Sequence, residues 1–276
     1  MLEKFKLLLK KNLEDKLTEK QISLLPSSYQ KIGNIVILNL KPELYKYEKE
    51  IGKIILKTIP NTETVCIRTG SIKSTYRQPQ LKIVAGKKST KTIHKENGII
   101  YNIDVKNIMF SKGNLTERKR IISQVKQGEI IIDMFAGIGY FSLGLGKFSK
   151  AKKIYSIEIN PNAFRLLKQN IKINKINNIV PIYGDCMVEI PKLGKADRIL
   201  MGLLPTAKNY LLDAMKAAKQ NTIIHYHTTG TEKDDLFEDV KIAAEISGFD
   251  VKLLNQKKVK SYAPKVYHYV LDCKII

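Results

Sequence analysis

The chain has only three cysteines, Cys66, Cys186 and Cys273, odd in number and far apart. That excludes a disulfide framework or a cysteine-based zinc site. No apolar run approaches the length that spans a bilayer. The N-terminus, Met1-Leu-Glu-Lys-Phe-Lys-Leu-Leu-Leu-Lys10, interrupts its leucines with an acid and lysines, so the apolar centre of a signal peptide is missing as well. A reduced, cytoplasmic setting without membrane or metal is the expectation. Acid is scarce too: 26 Asp+Glu face 48 Lys+Arg, a formal net charge of +22. Such an excess favours a polyanionic partner, a nucleic acid first. Six of the 48 are Arg, leaving 42 Lys, so a generally lysine-rich composition competes with that explanation.

What is present organises around Glu129-Ile-Ile-Ile-Asp133 and the glycine turn after it, Gly137-Ile-Gly139. A short apolar run ending on an acid reads as a buried strand. The two glycines let the backbone turn sharply and approach a ligand, and a helix is predicted over Tyr140–Phe148. Together these make a cradle at the carboxyl edge of a parallel sheet.

The 276 residues, 43% of them apolar, suffice for one large domain or two unequal ones. Residues 1–24 carry leucines at helical spacing and predict a helix packed on its own domain. From Tyr29 to Asn107, strands at Asn34–Leu40, Thr64–Arg68, Leu81–Ala85, Thr90–His94 and Ile99–Ile103 surround a helix near Pro42–Thr58. A small α+β domain over 1–107 is the reading. Within it, Thr64 to Lys95 holds eight basic residues and no acid. Arg68, Lys73, Arg77, Lys87 and Lys88 are the candidate phosphate contacts, which would give affinity and register rather than base identity. A solvated loop face is the plain alternative.

From 108 onward the chain alternates. Lys153–Glu158, Ile179–Tyr183, Ala196–Met201 and Thr222–His227 read as strands with helices between them. Val251–Val259 and Lys265–Lys274 close the chain as two strands separated by Ser261-Tyr-Ala-Pro264. The fold class is α/β, a mostly parallel doubly wound sheet over 108–276, preceded by the small domain.

Acids end successive strands: Asp133 the first, Glu158 the second, and Asp185 just after the third. The acid at the second strand end can take two ribose hydroxyls. An acid at the first would repel a pyrophosphate, and Ser142 stands where the dinucleotide fingerprint needs a third glycine. S-adenosylmethionine, with a ribose diol, an ammonium and a sulfonium but no phosphate, fits better.

Asp133-Met-Phe-Ala-Gly-Ile-Gly139 resembles motif I of class I methyltransferases. With Thr92–Gly98, Phe110-Ser111, Glu117-Arg118, Glu158-Ile-Asn-Pro161, Gly184-Asp185 and Ala196–Met201, the chain resembles the archaeal and eukaryotic tRNA (guanine-37-N1)-methyltransferases. It equally resembles their sisters, the wybutosine-pathway tRNA aminocarboxypropyltransferases. The resemblance implies a Rossmann-like class I methyltransferase fold and S-adenosylmethionine as cofactor. It also implies tRNA(Phe) as partner, with the chain acting as a monomer. The separate N-terminal tRNA-elbow domain of the archaeal methyltransferases is expected to be missing. By the same resemblance Glu158 holds the ribose, and Asp185 and Cys186 lie near adenine. Ser111 and Arg118 face the amino-acid tail or reacting end, Phe135 and Gly137 shape the floor, and Asp133 belongs to the set.

The methyltransferase branch carries Asn-Leu-Pro or Asn-Pro-Pro after the fourth strand. Here Met201-Gly-Leu-Leu-Pro205 puts Gly202 where that Asn would be, and His225-Tyr-His227-Thr-Thr-Gly230 resembles the aminocarboxypropyl branch. The implied reaction is transfer of the 3-amino-3-carboxypropyl group to C7 of 4-demethylwyosine. N1-guanine methylation and a non-catalytic RNA-binding protein are the alternatives. Glu117, Asp133 and His225 are all candidate bases, so the catalytic residue stays open. Of His225 and His227, only one is expected to face the cradle, and neither to bind zinc.

Overall fold

The computed structural model describes residues 2–73, 78–110 and 114–276, which form two compact units, Met1–Phe110 and Ser111–Ile276.

In the first unit, α1 (Leu2–Leu13) and α2 (Glu19–Ser23) replace the single predicted helix. The break has a local cause. Thr18 caps α2, accepting from the Gln21 amide at 3.3 Å while its own amide donates to Gln21 Oε1 at 3.1 Å. Phe5, Leu9, Leu13 and Leu17 point into the core. The chain continues through β1 (Gln30–Ile32) and β2 (Ile35–Leu38) to a 3-10 turn at Pro42–Tyr47. After it come α3 (Glu48–Thr58), β3 (Thr64–Lys73) and β4 (Gln78–Gly86). These strands make one sheet, ordered β1-β2-β3-β4, with β2 and β3 parallel. Ile51 and Ile55 of α3 lie four apart on one face and are fully buried with Val36, Leu38 and Val65 of the sheet. A separate hairpin, β5 (Lys91–Glu96) and β6 (Ile99–Asp104), turns on Asn97-Gly98, both at positive φ.

The second unit opens with α4 (Leu115–Gln124) and β7 (Ile130–Asp133), then α5 (Ser142–Phe148) and β8 (Lys153–Glu158). Next are α6 (Pro161–Ile173), β9 (Ile179–Tyr183), α7 (Cys186–Glu189) and β10 (Arg198–Met201). The chain ends with α8 (Leu211–Ala217), β11 (Ile223–Gly230), α9 (Glu238–Ile246), β12 (Val251–Ala263) and β13 (Val266–Ile275). The seven strands lie in the order β12-β13-β11-β10-β7-β8-β9. The strands from β11 to β9 are parallel, and β13 runs antiparallel between β11 and β12. This is the Rossmann-like class I methyltransferase arrangement. Strand order reverses between β7 and β10, so the crevice beyond their carboxyl ends is where a ligand seats.

β7 lies in the middle of the sheet, and three isoleucines precede Asp133 at its carboxyl end. Ile131 and Ile132 are fully buried, each contributing about 1.5–3 kcal/mol of apolar burial. Pro161 occupies the first turn of α6 and the Asn160 side chain accepts from the Asn162 amide at 3.0 Å. The closing hairpin is longer than predicted. β12 runs on through Ser261 to Ala263, absorbing irregular register in bulges such as Lys258/Lys260, and the reversal falls on Pro264-Lys265, with Lys265 at φ 59°.

Candidate cofactor site and the sheet face beneath it

The turn after β7 needs its glycines. Gly137 lies at φ 59° and Gly139 at φ 97°. A Cβ on Gly139 would stand 2.5 Å from Leu143, so α5 packs directly on the turn. Glu158, at the end of β8, ties the turn in place. Its Oε2 accepts from the Gly137 amide at 2.7 Å and its Oε1 from the Asn160 amide at 2.7 Å. Burial pushes its pKa up to about 6, against the pull of those amides.

Asp133 is fully buried and faces the start of α5. Its Oδ2 accepts from Ser142 Oγ at 2.6 Å, Ser142 in turn accepts from Ser156 Oγ at 2.8 Å, and the Phe135 amide reaches Oδ1 at 3.4 Å. Burial pushes its carboxyl up to about 6 while the Ser142 hydroxyl opposes the shift. In this geometry Asp133 fastens the turn to its helix.

Asp185 caps α7, its Oδ1 accepting from the Met187 amide at 2.9 Å. Cys186 is buried beside it, its thiol pushed up to about 12 by burial and then by the neighbouring carboxylates of Asp185 and Asp213. It is therefore a packed thiol rather than a nucleophile. Phe135 sits edge-on to Tyr210, centroids 5.1 Å apart. Arg118 of α4 is buried, its guanidinium 5.2 Å from the Tyr140 ring centroid. Ser111 lies outside the described residues.

Sequence reasoning missed an apolar rim at the same edge. Ile159 is 41% exposed, Tyr183 55% and Met187 46%. Each adjoins a strand end that carries an acid, which is the signal that could have found them. Apolar side chains left in water beside strand-end carboxylates suit the flat face of an aromatic ligand.

On the sheet face under α4 lies a buried chain of polar groups. Glu117 binds Arg120 at 2.9 Å (Nε to Oε2), and Arg120 binds Asp272 through both terminal nitrogens, Nη2 to Oδ1 at 2.9 Å. Asp272 Oδ1 lies 2.6 Å from His225 Nδ1, His225 Nε2 lies 2.7 Å from Arg198 Nη1, and Arg198 Nε donates to Glu129 Oε2 at 2.8 Å. Arginine can only donate, so His225 Nε2 accepts and the ring proton sits on Nδ1, donating to Asp272. Burial and the flanking arginines lower the His225 pKa. Burial raises that of Asp272, but the Arg120 and His225 hydrogen bonds overcome it and hold the carboxylate well below its ordinary value. Arg120, Arg198 and Asp272 gave no local signal in the sequence.

The expectation that only one of His225 and His227 faces the cradle side is wrong. Residues two apart on a strand share a face, and here His225 and His227 both lie on the face of Asp272 and His268. His227 Nδ1 is 3.0 Å from His268 Nε2, and the His227 ring stands edge-on to Phe141, centroids 5.3 Å apart. Phe141 also flanks Gly202, where a Cβ would lie 3.3 Å from its ring.

In the first unit, the one-signed segment turns out to be partly neutralised. Lys82 pairs with Glu48 at 2.5 Å and Lys87 with Glu63 at 2.8 Å. Arg68 is half-buried and donates to Gln30 at 2.7 Å, and burial lowers its pKa. Lys88 is exposed. The backbone of Lys73 ends β3, its side chain lies outside the described residues, and Arg77 lies wholly outside them. No helix among the described residues is long and apolar enough to cross a membrane.

The TRM5/TYW2 methyltransferase domain matches residues 92–253, and the TYW2 N-terminal domain matches residues 9–90. The tRNA(Phe) (4-demethylwyosine(37)-C(7)) aminocarboxypropyltransferase of Methanocaldococcus jannaschii is 42% identical over 250 residues, covering 89% of this chain and 97% of that protein. The tRNA (guanine(37)-N(1))-methyltransferase Trm5b of Pyrococcus abyssi is 38% identical, covering 91% of this chain and 76% of that protein. Among solved structures, Pyrococcus horikoshii TYW2 in complex with MeSAdo superposes with a TM-score of 0.83 at 34% identity, covering 98% of this chain and 99% of that one. Sheet order, glycine cradle and strand-end acids thus agree with the domain match, and the chain belongs to the TRM5/TYW2 family.

Proposed function

We propose that the chain is an S-adenosylmethionine-dependent tRNA aminocarboxypropyltransferase. It moves the 3-amino-3-carboxypropyl group to C7 of 4-demethylwyosine at position 37 of tRNA(Phe) and releases 5'-methylthioadenosine. The observation that carries this reading over N1-guanine methylation is Gly202. At the end of β10, where the methyltransferase branch supplies an amide, this chain has no side chain, and a Cβ there would already press on Phe141 at 3.3 Å. The match of residues 9–90 to the TYW2 N-terminal domain supports the same branch.

The residues present fit the cofactor. Glu158 is aimed at the turn with lone pairs left for two ribose hydroxyls, Ile159, Tyr183 and Met187 offer apolar surface for adenine, and Asp185 lies beside them. Arg118 is placed to meet the carboxylate of the methionine tail. When bound, the sulfonium supplies a strongly activated carbon, so the chain's task is to hold that carbon in line with the ring nucleophile and exclude water. The sulfonium is itself the leaving group, so the reading needs no metal. In this reading residues 108–276 bind the cofactor, and residues 1–107 meet tRNA phosphates through exposed lysines such as Lys88. The enzyme works as a cytoplasmic monomer. Incubation with S-adenosylmethionine and precursor-bearing tRNA is expected to release 5'-methylthioadenosine. Release of S-adenosylhomocysteine instead would point to the methyltransferase, and no cofactor turnover or binding to the RNA-binding alternative.

A further inference from the structure

At the edge of the second sheet opposite the cofactor crevice lies a cavity of about 840 Å³. It opens where β7, β10 and β11 begin, so the length of β7 separates it from the glycine turn. Its charges do not balance. Three acids line it, and each already has a cation of its own: Glu129 has Arg198 at 2.8 Å, Asp197 has Lys219 at 2.6 Å, and Asp272 has Arg120 at 2.9 Å. Lys126 and Lys274 line it as well, and neither has a carboxylate within ion-pair distance among the described residues. Lys252, equally unpaired, stands directly opposite Lys274 across β12 and β13, which puts both side chains on one face. Like charges so placed repel. A lysine on an edge strand such as β12 guards against stray pairing. Lys274 is half-buried on the inner strand β13 and guards no edge. The cavity also has an apolar wall. The bulge in β12 between Leu253 and Asn255 leaves Leu254 half exposed on that wall, beside Ile223. Gln127 and Asn221 bring amides to its rim, each with a donor and an acceptor.

From this geometry we infer that the cavity is a second ligand site, for a nucleotide whose phosphate lies among Lys126, Lys252 and Lys274. A phosphate there supplies the counter-charge that the fold withholds from three ammonium groups, and it relieves the repulsion between Lys252 and Lys274. A phosphate alone would leave most of the cavity empty. Ligand sites run to about 300–1,000 Å³, a range that takes in this cavity. The wall at Leu254 and Ile223 then meets a ring face, and the amides of Gln127 and Asn221 meet a polar ring edge or sugar hydroxyls. The cavity is not a second seat for S-adenosylmethionine, which has no phosphate to satisfy the lysines. Nor does the inference depend on which carbon the chain transfers. The nucleotide is either free or one unit of an RNA strand, and the phosphate chemistry is the same in both.

The test uses the full chain with S-adenosylmethionine in excess, so that the cofactor crevice is filled, and titrates uridine 5'-monophosphate, uridine and an unmodified tRNA transcript. Calorimetry at low salt is expected to show the monophosphate binding and uridine not binding. Lys126→Ala and Lys274→Ala should each weaken the monophosphate by about 10-fold or more, with affinity for S-adenosylmethionine unchanged. Lys126 lies between α4 and β7, outside any strand, so its variant keeps the test intact if Lys274→Ala fails to fold. Lys252→Ala should raise the thermal midpoint of the ligand-free chain, because the repulsion is gone, and still weaken the monophosphate. A loss of transcript affinity in the Lys126 and Lys274 variants assigns the phosphate to an RNA strand. Unaltered transcript affinity, with the monophosphate weakened, assigns it to a free nucleotide. Monophosphate binding equally tight in the variants overturns the site. So does a chain that binds no monophosphate and whose variants hold the transcript as tightly as wild type.

Discussion

His225 Nδ1 and Asp272 Oδ1 lie 2.6 Å apart across β11 and β13, and this contact joins two arginines into one buried chain. Asp272 takes Arg120 on one side, while His225 accepts from Arg198 on the other. Arg120 itself lies on α4, so its bond to Asp272 fixes the helix that carries Arg118, while Glu117 on the same helix braces the guanidinium. Asp272→Ala would leave the imidazole N–H without an acceptor and take from the Arg120 guanidinium one of its two carboxylates. The loss expected is about 3–5 kcal/mol of stability, read as a shift of the urea midpoint. A change below about 1 kcal/mol would mean that the chain is not a unit.

Glu158→Ala is expected to weaken S-adenosylmethionine binding by about 10- to 100-fold, the worth of hydrogen bonds to a charged acceptor, while the far-UV spectrum stays native. Its carboxyl is pushed up to about 6 by burial, so affinity in the unmutated protein should rise as pH passes upward through that value and flatten above it. Calorimetry across that range checks both. Unchanged affinity in the variant refutes the ribose role.

The cradle's backbone makes a third expectation. Gly137 sits at φ 59°, and a Cβ there would stand 2.6 Å from Tyr140. Gly137→Ala should cost about 1–3 kcal/mol through the left-handed conformation alone, and it should displace Tyr140 from Arg118. A thermal midpoint equal to wild type would remove the argument.

Much of this site was legible in the sequence because its signals are local. A strand-end acid followed within six residues by two glycines can be read without knowing what lies across the sheet. The buried chain could not be: Arg120 and Asp272 are 152 positions apart, and only the antiparallel insertion of β13 beside β11 brings them together. Similarly, the basic run from Thr64 to Lys95 looked unpaired because its acids, Glu48 and Glu63, come from outside the run. The end of β12 was misjudged for another reason: Ser261-Tyr-Ala-Pro264 has turn composition, but bulges let the strand continue through most of it. The shared face of His225 and His227 is also a local signal, since residues two apart on a strand point the same way.

That neutralisation makes a graded expectation for tRNA binding. Lys88→Glu should weaken binding and reduce the salt slope by about 1 per lost phosphate contact. Lys87→Glu, at a lysine already paired with Glu63, should do so less, and Glu63→Gln, which frees Lys87, should strengthen binding. Filter binding over a salt series separates the three, and identical slopes throughout would remove this segment from the interface.

His268 makes a prediction about acid stability. Burial lowers its pKa from 6.5 to about 4, so below pH 6.5 the unfolded chain takes a proton that the folded chain refuses. Its contribution, about 3 kcal/mol in order of magnitude, is fully present above pH 6.5 and is lost as pH falls toward 4. His268→Gln should therefore flatten the decline of stability across that window. Urea titrations at several pH values check it, and an unaltered slope contradicts the assigned shift.

The central claim concerns which carbon leaves the sulfonium. Two preparations of S-adenosylmethionine, one labelled in the methyl group and one in the methionine carboxyl, decide it with the same precursor-bearing tRNA. The account expects carboxyl label in the tRNA and methyl label in released 5'-methylthioadenosine. Methyl label in the tRNA, with carboxyl label left in S-adenosylhomocysteine, would contradict it.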